Sequence, residues 1–138
     1  MPTPATQSRA ARRLFPESLN GASGLQARLA SGVREEPLAA PPRLVAGADM
    51  AYDRARGVGF AAVVTVDTAS GRVVDVGRFS GAVRVPYVPG FLSFREGRAI
   101  LEAWSRLERP PDLLICDGHG RAHPRRFGVA CHLGLALD

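Results

Sequence analysis

A short apolar segment that ends on an acid, Leu113 to Cys116 followed by Asp117, most constrains the fold. Four apolar residues bounded by turn residues predict a strand buried on both faces. The run Gly118 to Gly120 then breaks the strand and predicts a tight turn. Open α/β sheets bind ligands at the carboxyl ends of such strands, so Asp117 fits a metal-dependent site that acts on a phosphate backbone. An equally good interpretation is that Asp117 caps the next segment.

Three earlier apolar segments joined by short turns predict an antiparallel meander: Leu44 to Tyr52, Val58 to Val66 and Arg72 to Phe79. A helix from Leu92 to Leu107 comes next, so the Leu113 to Cys116 strand should run parallel to one of the earlier strands. The predicted fold class is α/β, with a mixed sheet flanked by helices.

The 138 residues suffice for one domain. Residues 1–20 are rich in Pro, Ser, Thr and Arg with little periodicity, which predicts a disordered N-terminal tail. Residues 21–138 form the predicted domain. It begins with a helix from Ala22 to Glu35 and reaches another apolar helix from Phe127 to Leu137.

The net charge of +5 comes from 18 basic residues, all of them Arg. The planar guanidinium group pairs well with phosphate oxygens, so a nucleic acid is a plausible partner. No apolar segment reaches transmembrane length and no secretory signal is visible, so we expect a cytoplasmic protein without a membrane partner.

Three carboxylates are candidates for a metal site. Asp49 lies in an apolar strand, where a buried acid needs a partner, although it could simply face outward. Glu96 begins the core-facing row of the predicted 92–107 helix, although the helix dipole alone favours an acid there. A helix packed across the sheet can bring both acids to Asp117, and such a cluster binds Mg²⁺. A zinc site is the weaker alternative, since the available residues match no ordinary zinc spacing: Cys116, His119, His123, Cys131 and His132.

The segment from Arg84 to Glu96 contains two prolines and a glycine, which predict a stiff loop with Tyr87 at its tip. A rigid exposed aromatic residue can wedge into a base stack or hold an extruded base. The alternative is that Tyr87 packs on its own domain.

Three motifs resemble those of the endonuclease V family of deoxyinosine-specific repair nucleases: Val45 to Tyr52, Val85 to Glu96 and Leu114 to Gly134. The resemblance covers residues 22–138. It implies a ribonuclease-H-like fold and Mg²⁺-dependent hydrolysis, with Mn²⁺ as a substitute, of the second phosphodiester bond 3′ to a deoxyinosine in DNA. Some members prefer inosine in RNA.

By position, the resemblance implies that Asp49 and Asp117 are metal ligands and that Glu96 is the third acid of the catalytic cluster. It implies that Tyr87 is a wedge and that the loop Gly118 to Gly120 lies near the extruded hypoxanthine. The full predicted DNA-binding set is Pro86, Tyr87, Gly90, Gly118, His119, Gly120 and Arg125.

Chains of this family continue beyond the position of Asp138 with a further strand, a phosphate-contacting lysine and another active-site residue. We therefore expect a C-terminal part to be missing, and a chain that folds poorly or is much less active than a complete member. The expected partner is deoxyinosine-containing DNA, with a monomer favoured. A catalytically impaired module that only binds inosine-containing nucleic acid is the alternative.

Overall fold

The structure, a computed structural model, describes residues 3–138. Met1 and Pro2, which belong to the predicted tail, lie outside the described residues. In chain order the elements are helices α1 (Pro4–Ala11) and α2 (Ala22–Ala30), strands β1 (Leu44–Asp53), β2 (Val58–Asp67) and β3 (Arg72–Ala82), helix α3 (Leu92–Trp104), strand β4 (Leu113–Cys116) and helix α4 (Val129–Leu137).

The strands form a sheet in the order β3-β2-β1-β4. β1 pairs antiparallel with β2, and β2 with β3, because short turns connect them. β4 pairs parallel with β1, since α3 first carries the chain back across the sheet. The predicted meander plus a parallel strand, flanked by helices, is confirmed.

One face of the sheet carries the main core. Side chains alternate across a strand, so every second residue of β1 and β2 points toward α3. The core packs small strand residues beneath larger helix residues: Ala46, Ala48, Ala61 and Val63 from the strands, and Ile100, Leu101 and Trp104 from α3. Burying each large apolar side chain of this kind contributes roughly 1.5–3 kcal/mol. This packing fixes α3 against the sheet.

The opposite face of the sheet is open within residues 3–138. Phe60 is 47% exposed there, and Ile115 of β4 is 58% exposed. β4 lies at the sheet edge, and it packs on the core through Leu114 and Cys116. The prediction that Leu113 to Cys116 is buried on both faces is therefore wrong, because the described helices cover only one face of this edge strand.

The prediction of a disordered tail over residues 1–20 is wrong for the part that the structure describes. The Thr3 hydroxyl oxygen accepts a hydrogen bond from the Thr6 amide at 3.2 Å, and Pro4 occupies the first turn, so α1 has a regular N-terminus. The Ser8 hydroxyl donates to the Leu101 carbonyl at 2.7 Å. These contacts tie α1 to α3.

Phe15 completes the attachment of this N-terminal segment. Its ring is fully buried and stacks on the His132 ring with centroids 3.9 Å apart. His132 also contacts the Leu14 carbonyl through Nε2, at 2.6 Å. Gly97 of α3 makes room, since a Cβ built there would lie 2.2 Å from the Phe15 ring. No periodic pattern in the sequence marks this segment, because its partners lie on distant helices.

The predicted helices are observed with shorter bounds. α2 ends at Ala30 and not at Glu35, and α3 ends at Trp104 and not at Leu107. α4 begins at Val129, two residues later than predicted from Phe127. Among residues 3–138, no helix has the length and apolar character needed to cross a membrane.

Candidate metal and nucleic-acid site

Asp49 and Asp117 lie at the same end of two parallel strands. β1 and β4 are in register up to the pair of Ala48 and Cys116, and each aspartate is the next residue of the chain. Because side chains alternate, neighbouring strands in register direct both carboxylates away from the core. Both residues are exposed. Asp49 therefore has the outward orientation that the sequence left open.

The Asp117 carboxylate accepts no hydrogen bond from any residue in the range 3–138, so the capping alternative finds no contact there. Asp49 Oδ1 accepts a hydrogen bond from the Met50 amide at 2.7 Å. Both carboxylates thus keep most of their acceptor capacity for a ligand.

Glu96 approaches this pair from α3. The Tyr52 hydroxyl donates a hydrogen bond to Glu96 Oε1 at 2.5 Å. The Arg95 guanidinium lies over the Tyr52 ring, 4.6 Å from its centroid. β1 therefore supplies both Asp49 and, three residues later, the tyrosine that orients Glu96.

The three acids share one electrostatic environment. Burial, reinforced by the charges of Asp49 and Asp117, raises the pKa of Glu96 above its usual value. The Tyr52 hydrogen bond and the Arg95 charge act in the opposite direction without cancelling the rise. The charges of both aspartates therefore disfavour the ionised form of Glu96. A cation between them would relieve this repulsion.

The three acids offer the kind of donor atom that a hard divalent cation prefers. These donors are carboxylate oxygens, which Mg²⁺ prefers, and none of the three acids has an ion-pair partner among residues 3–138. In that same range, no three Asp, Glu, His or Cys side chains converge closely enough to enclose an ion. The carboxylates would have to move closer together around a bound metal.

The loop over residues 83–91 presents Tyr87 to solvent with 64% of its surface exposed. Pro86 beside it is exposed as well, whereas Val85 is buried against Ala22 and Phe94. Arg95 Nη1 donates to the Val85 carbonyl at 2.8 Å. The loop is therefore fixed at its start, and Tyr87 does not pack into the domain.

The Gly90 carbonyl oxygen fixes the other end of this loop. It lies 2.9 Å from Gln26 Nε2, 2.7 Å from His123 Nε2 and 3.2 Å from Arg125 Nη2, all in hydrogen-bonding geometry. Gly90 has a φ of +89°, in the region that favours glycine. Three segments of the chain therefore meet at one backbone atom.

Arg125 has an internal role in the structure, although it was predicted to contact DNA. Its Nε donates to Gln26 Oε1 at 2.6 Å, and its guanidinium lies over the Phe91 ring, 4.7 Å from the centroid. With Nη2 bound to the Gly90 carbonyl, most of its hydrogen-bonding groups face the protein. Arg125 thus fixes the loop that carries Tyr87.

A cavity of about 420 Å³ lies beneath Tyr87, between this loop and the loop after β4. Its volume is within the usual range for small-ligand sites. Its wall includes Tyr87, Gly90, Gly118, His119, His123 and Val129.

Gly118 joins this cavity to the acids, because it directly follows Asp117. Its φ of +140° disfavours any side chain, and a Cβ there would lie 3.3 Å from Val129. Gly120, which was predicted with it, does not line the cavity. Its carbonyl accepts the Gly128 amide at 3.0 Å and closes the loop.

Sequence reasoning missed Tyr52, Arg95 and Gln26. Tyr52 could have been found from its position three residues beyond Asp49 on a predicted strand, where alternation places it on the face that α3 covers. Gln26 had no detectable signal, because its partners lie 64 and 99 residues away.

Comparison with known proteins gives a consistent result. Residues 27–138 match the family model described as Endonuclease V. The Endonuclease V of Nocardia farcinica (strain IFM 10152) is 49% identical over 108 residues, which cover 75% of this chain and 48% of that protein. That of Rhodospirillum centenum (strain ATCC 51521 / SW) is 46% identical over 127 residues, covering 91% and 53%. The chain spans about half the length of these curated relatives.

Solved structures agree with the sequence matches. The crystal structure of Endonuclease V from Streptomyces avermitilis superposes with a TM-score of 0.80 at 44% identity, covering 88% of this chain and 54% of that chain. The Ciona intestinalis Endonuclease V, solved with a 24mer DNA that contains an inosine, gives 0.75 at 22% identity, covering 87% and 54%. The second likeness concerns the fold alone, and the shared fold is ribonuclease-H-like. On the extent of the family match and the identity to its members, this chain belongs to the endonuclease V family.

Proposed function

We propose that this chain carries the metal and base sites of a Mg²⁺-dependent endonuclease that hydrolyses the second phosphodiester bond 3′ to a deoxyinosine in DNA. One arrangement carries the proposal beyond the family match. Asp117, whose charge acts on Glu96 together with that of Asp49, directly precedes Gly118 in the wall of a cavity that includes the exposed Tyr87, and none of the three acids has an ion-pair partner in residues 3–138.

In this proposal Asp49, Asp117 and Glu96 hold the metal through carboxylate oxygens. When bound, Mg²⁺ supplies a Lewis acid that activates water and stabilises the leaving oxygen, and Mn²⁺ accepts the same ligands. Tyr52 keeps Glu96 directed at the site through its hydroxyl. The protein supplies no covalent nucleophile, so its carboxylates serve to place charge and orient water.

Tyr87 would enter the base stack where the lesion weakens it, because its ring is exposed and its loop is fixed at both ends. The cavity beneath it would receive the extruded base, and backbone groups of Gly118 and His119 in its wall would read the edge of the base. The Ciona relative was solved with a 24mer DNA containing an inosine followed by a ribo-adenosine, which supports an inosine-containing nucleic acid as the ligand.

We further propose that the partner is DNA, with inosine-containing RNA as the second choice, and that the protein acts in the cytoplasm as a monomer. The net charge of +5, all from arginine, favours binding to the phosphate backbone of either nucleic acid.

A second candidate function is inosine-specific binding without hydrolysis. The observation that favours it is the contrast between the formed cavity under Tyr87 and the acids of residues 3–138, which do not converge to enclose an ion.

A nicking assay on a duplex with a single inosine, with and without Mg²⁺, separates the two candidates. We expect cleavage that needs the metal and falls by about 10³-fold or more in Asp49→Asn and Asp117→Asn, because several kcal/mol of charge stabilisation would be lost. The matched control is Asp67→Asn, which removes a strand-end acid already paired with Arg43.

Nicking that persists without divalent metal, or equal losses in all three variants, would reject the metal site. Selective binding of the inosine duplex with no cleavage would favour the binding module. Absence of both binding and cleavage would reject both candidates for this chain.

A further inference from the structure

We infer that Gln26, a residue of α2 outside every recognised motif, is a positioning residue that sets the orientation of the Tyr87 loop and so the base selectivity of the cavity. The inference rests on the proposed function, in which this cavity receives the base. It assigns a role to α2, which contributes nothing to the acid cluster.

Both polar ends of the Gln26 side chain are used. The residue is 1% exposed, its Nε2 donates to the Gly90 carbonyl, and its Oε1 accepts from Arg125 Nε. A buried amide whose donor and acceptor are both satisfied is specific in shape and polarity. Glutamate lacks the donor, methionine lacks both groups, and asparagine is one methylene too short.

The two partners of Gln26 belong to the two loops that border the cavity. Gly90 ends the loop that carries Tyr87, and Arg125 lies in the loop after β4. Through one side chain, α2 therefore links two loops that His123 and Arg125 also join directly. The start of the Tyr87 loop is fixed independently, by Arg95 at the Val85 carbonyl. Loss of Gln26 thus removes one of three hydrogen bonds at the Gly90 end of the loop and leaves the Val85 end unchanged.

The fold does not depend on this one amide. His123 and Arg125 still bind the Gly90 carbonyl when Gln26 is changed, and Gln26 is not a member of the apolar core cluster beneath α3. The main consequence of losing Gln26 is that the Arg125 Nε loses its acceptor, so the guanidinium is free to move from the Phe91 ring. A change in loop position follows, with a folded chain.

The test compares Gln26→Met and Gln26→Glu with a matched control, Gln7→Met. Gln7 also joins two elements through both amide atoms, donating to the Leu137 carbonyl and accepting from the Trp104 indole, each at 3.3 Å. It lies on α1, away from the cavity. The measured quantity is the ratio of affinities for a short duplex with one inosine and the same duplex with adenosine.

We expect the affinity ratio to fall about 10-fold in Gln26→Met, an effect of about 1.4 kcal/mol, and to stay at the wild-type value in Gln7→Met. In a Tyr87→Ala background the Gln26→Met change should have no further effect, because Gln26 acts through the Tyr87 loop. If Gln26 only stabilised the fold, Gln26→Met would lower the affinity ratio by the same factor in the wild-type and Tyr87→Ala backgrounds. That result, or an equal fall of the ratio in Gln7→Met, would overturn the inference.

A second measurement separates failure of this inference from failure of the proposed function. The Phe91 amide donates to the Val88 carbonyl at 3.0 Å inside the loop, so its hydrogen exchange reports on loop order without any nucleic acid. Faster exchange in Gln26→Met than in Gln7→Met supports the positioning role even if the wild-type chain does not prefer inosine, in which case only the proposed function fails. Unchanged exchange rejects the positioning role.

Discussion

The loops around the cavity and the acids beside it are built in opposite ways. The Tyr87 loop is fixed by side-chain donors to two carbonyls, those of Val85 and Gly90. The neighbouring acids form no ion pair within residues 3–138, and burial raises the pKa of Glu96. The loops around the cavity are thus fixed by contacts within the protein, whereas the acids carry charge that no ion pair in residues 3–138 compensates.

The same contrast extends to pH. His132 supports the cavity, because its Nδ1 lies 2.7 Å from the hydroxyl of Ser93, a residue of the cavity wall. Burial lowers the pKa of His132 to about 4, against the raising effect of the Leu14 carbonyl. Glu96 has a raised pKa. Acidification should therefore weaken the cavity side and relieve the acid side.

The largest expected effect is acid destabilisation through His132. Its pKa in the folded chain, about 4, is below the ordinary value of 6.5, so the unfolded chain takes up the proton first. The contribution of neutral His132 to stability is complete above its pKa in the unfolded chain, and it is lost as the pH falls through its pKa in the folded chain. We expect the free energy of unfolding to drop by about 2 kcal/mol from about pH 7 to about pH 5, measured by urea denaturation.

A His132→Gln variant should lose stability at neutral pH but show a flatter dependence on pH, whereas His119→Gln, at an exposed histidine, should keep the wild-type slope. If His132→Gln does not fold, the ring resonances of His132 in the wild type decide, since they should stay those of neutral imidazole until the chain unfolds. Protonation of His132 in the folded chain near pH 6.5 would contradict the lowered pKa of this residue.

Removal of the Tyr87 ring should have the next largest effect. Base stacking on an aromatic side chain contributes about 1–3 kcal/mol, so Tyr87→Ala should bind an inosine duplex at least about 5-fold more weakly. Because Tyr87 is 64% exposed, the free energy of unfolding of the Tyr87→Ala variant should differ from that of the wild type by less than about 0.5 kcal/mol. Tyr87→Phe, which keeps the ring, should bind like the wild type in a fluorescence titration. Equal binding by the alanine and wild-type chains would remove Tyr87 from the interface.

The smallest expected effect is a gain in stability of the metal-free chain in Glu96→Gln. The folded pKa of Glu96 is raised, so its favourable contribution is complete below the unfolded pKa and is lost as pH rises through the folded pKa. At neutral pH the charged form is therefore a cost, on the order of 0.5–1 kcal/mol for a partly exposed group. Thermal melts without metal should show the gain, and Mg²⁺ should stabilise the wild type more than the variant.

Glu102→Gln on the same helix is the matched control, because Glu102 pairs with Arg12 at 2.6 Å. It should leave stability unchanged or lower it. A Glu96→Gln chain that melts below the wild type at neutral pH would mean that the acids do not repel one another.

The sequence was sufficient for the strands and their directions because the signals for these are local. Asp49 and Asp117 sit in short segments of strand-forming residues bounded by turns, and a helical crossover implies that the strands run parallel. The antiparallel meander and the parallel direction of β4 followed from the lengths and types of the connections. Tyr87 could be placed on an exposed loop because Pro86, Pro89 and Gly90 surround it.

Contacts between distant segments were not predictable. Gln26 looks like any polar residue of an amphipathic helix, and only the folded chain brings it to Gly90 and Arg125. Phe15 sits in a segment of tail-like composition, yet stacking on His132 orders that segment. The openness of one face of β4 depends on which helices cover the sheet, and a four-residue apolar run does not record that.

Gly97 has a consequence for how the protein tolerates substitution. Replacing a glycine inside a helix with alanine ordinarily stabilises the helix by about 1 kcal/mol. Here the added methyl group would occupy the space of the Phe15 ring, so the usual gain changes sign. Since the next residue toward the N-terminus is Glu96, displacement of Phe15 at this turn would also disturb the acid cluster. Helix propensity alone would therefore recommend alanine at Gly97, but alanine would destabilise the fold there. The absence of a Cβ at Gly97 is what allows Phe15 of the N-terminal segment to reach the core.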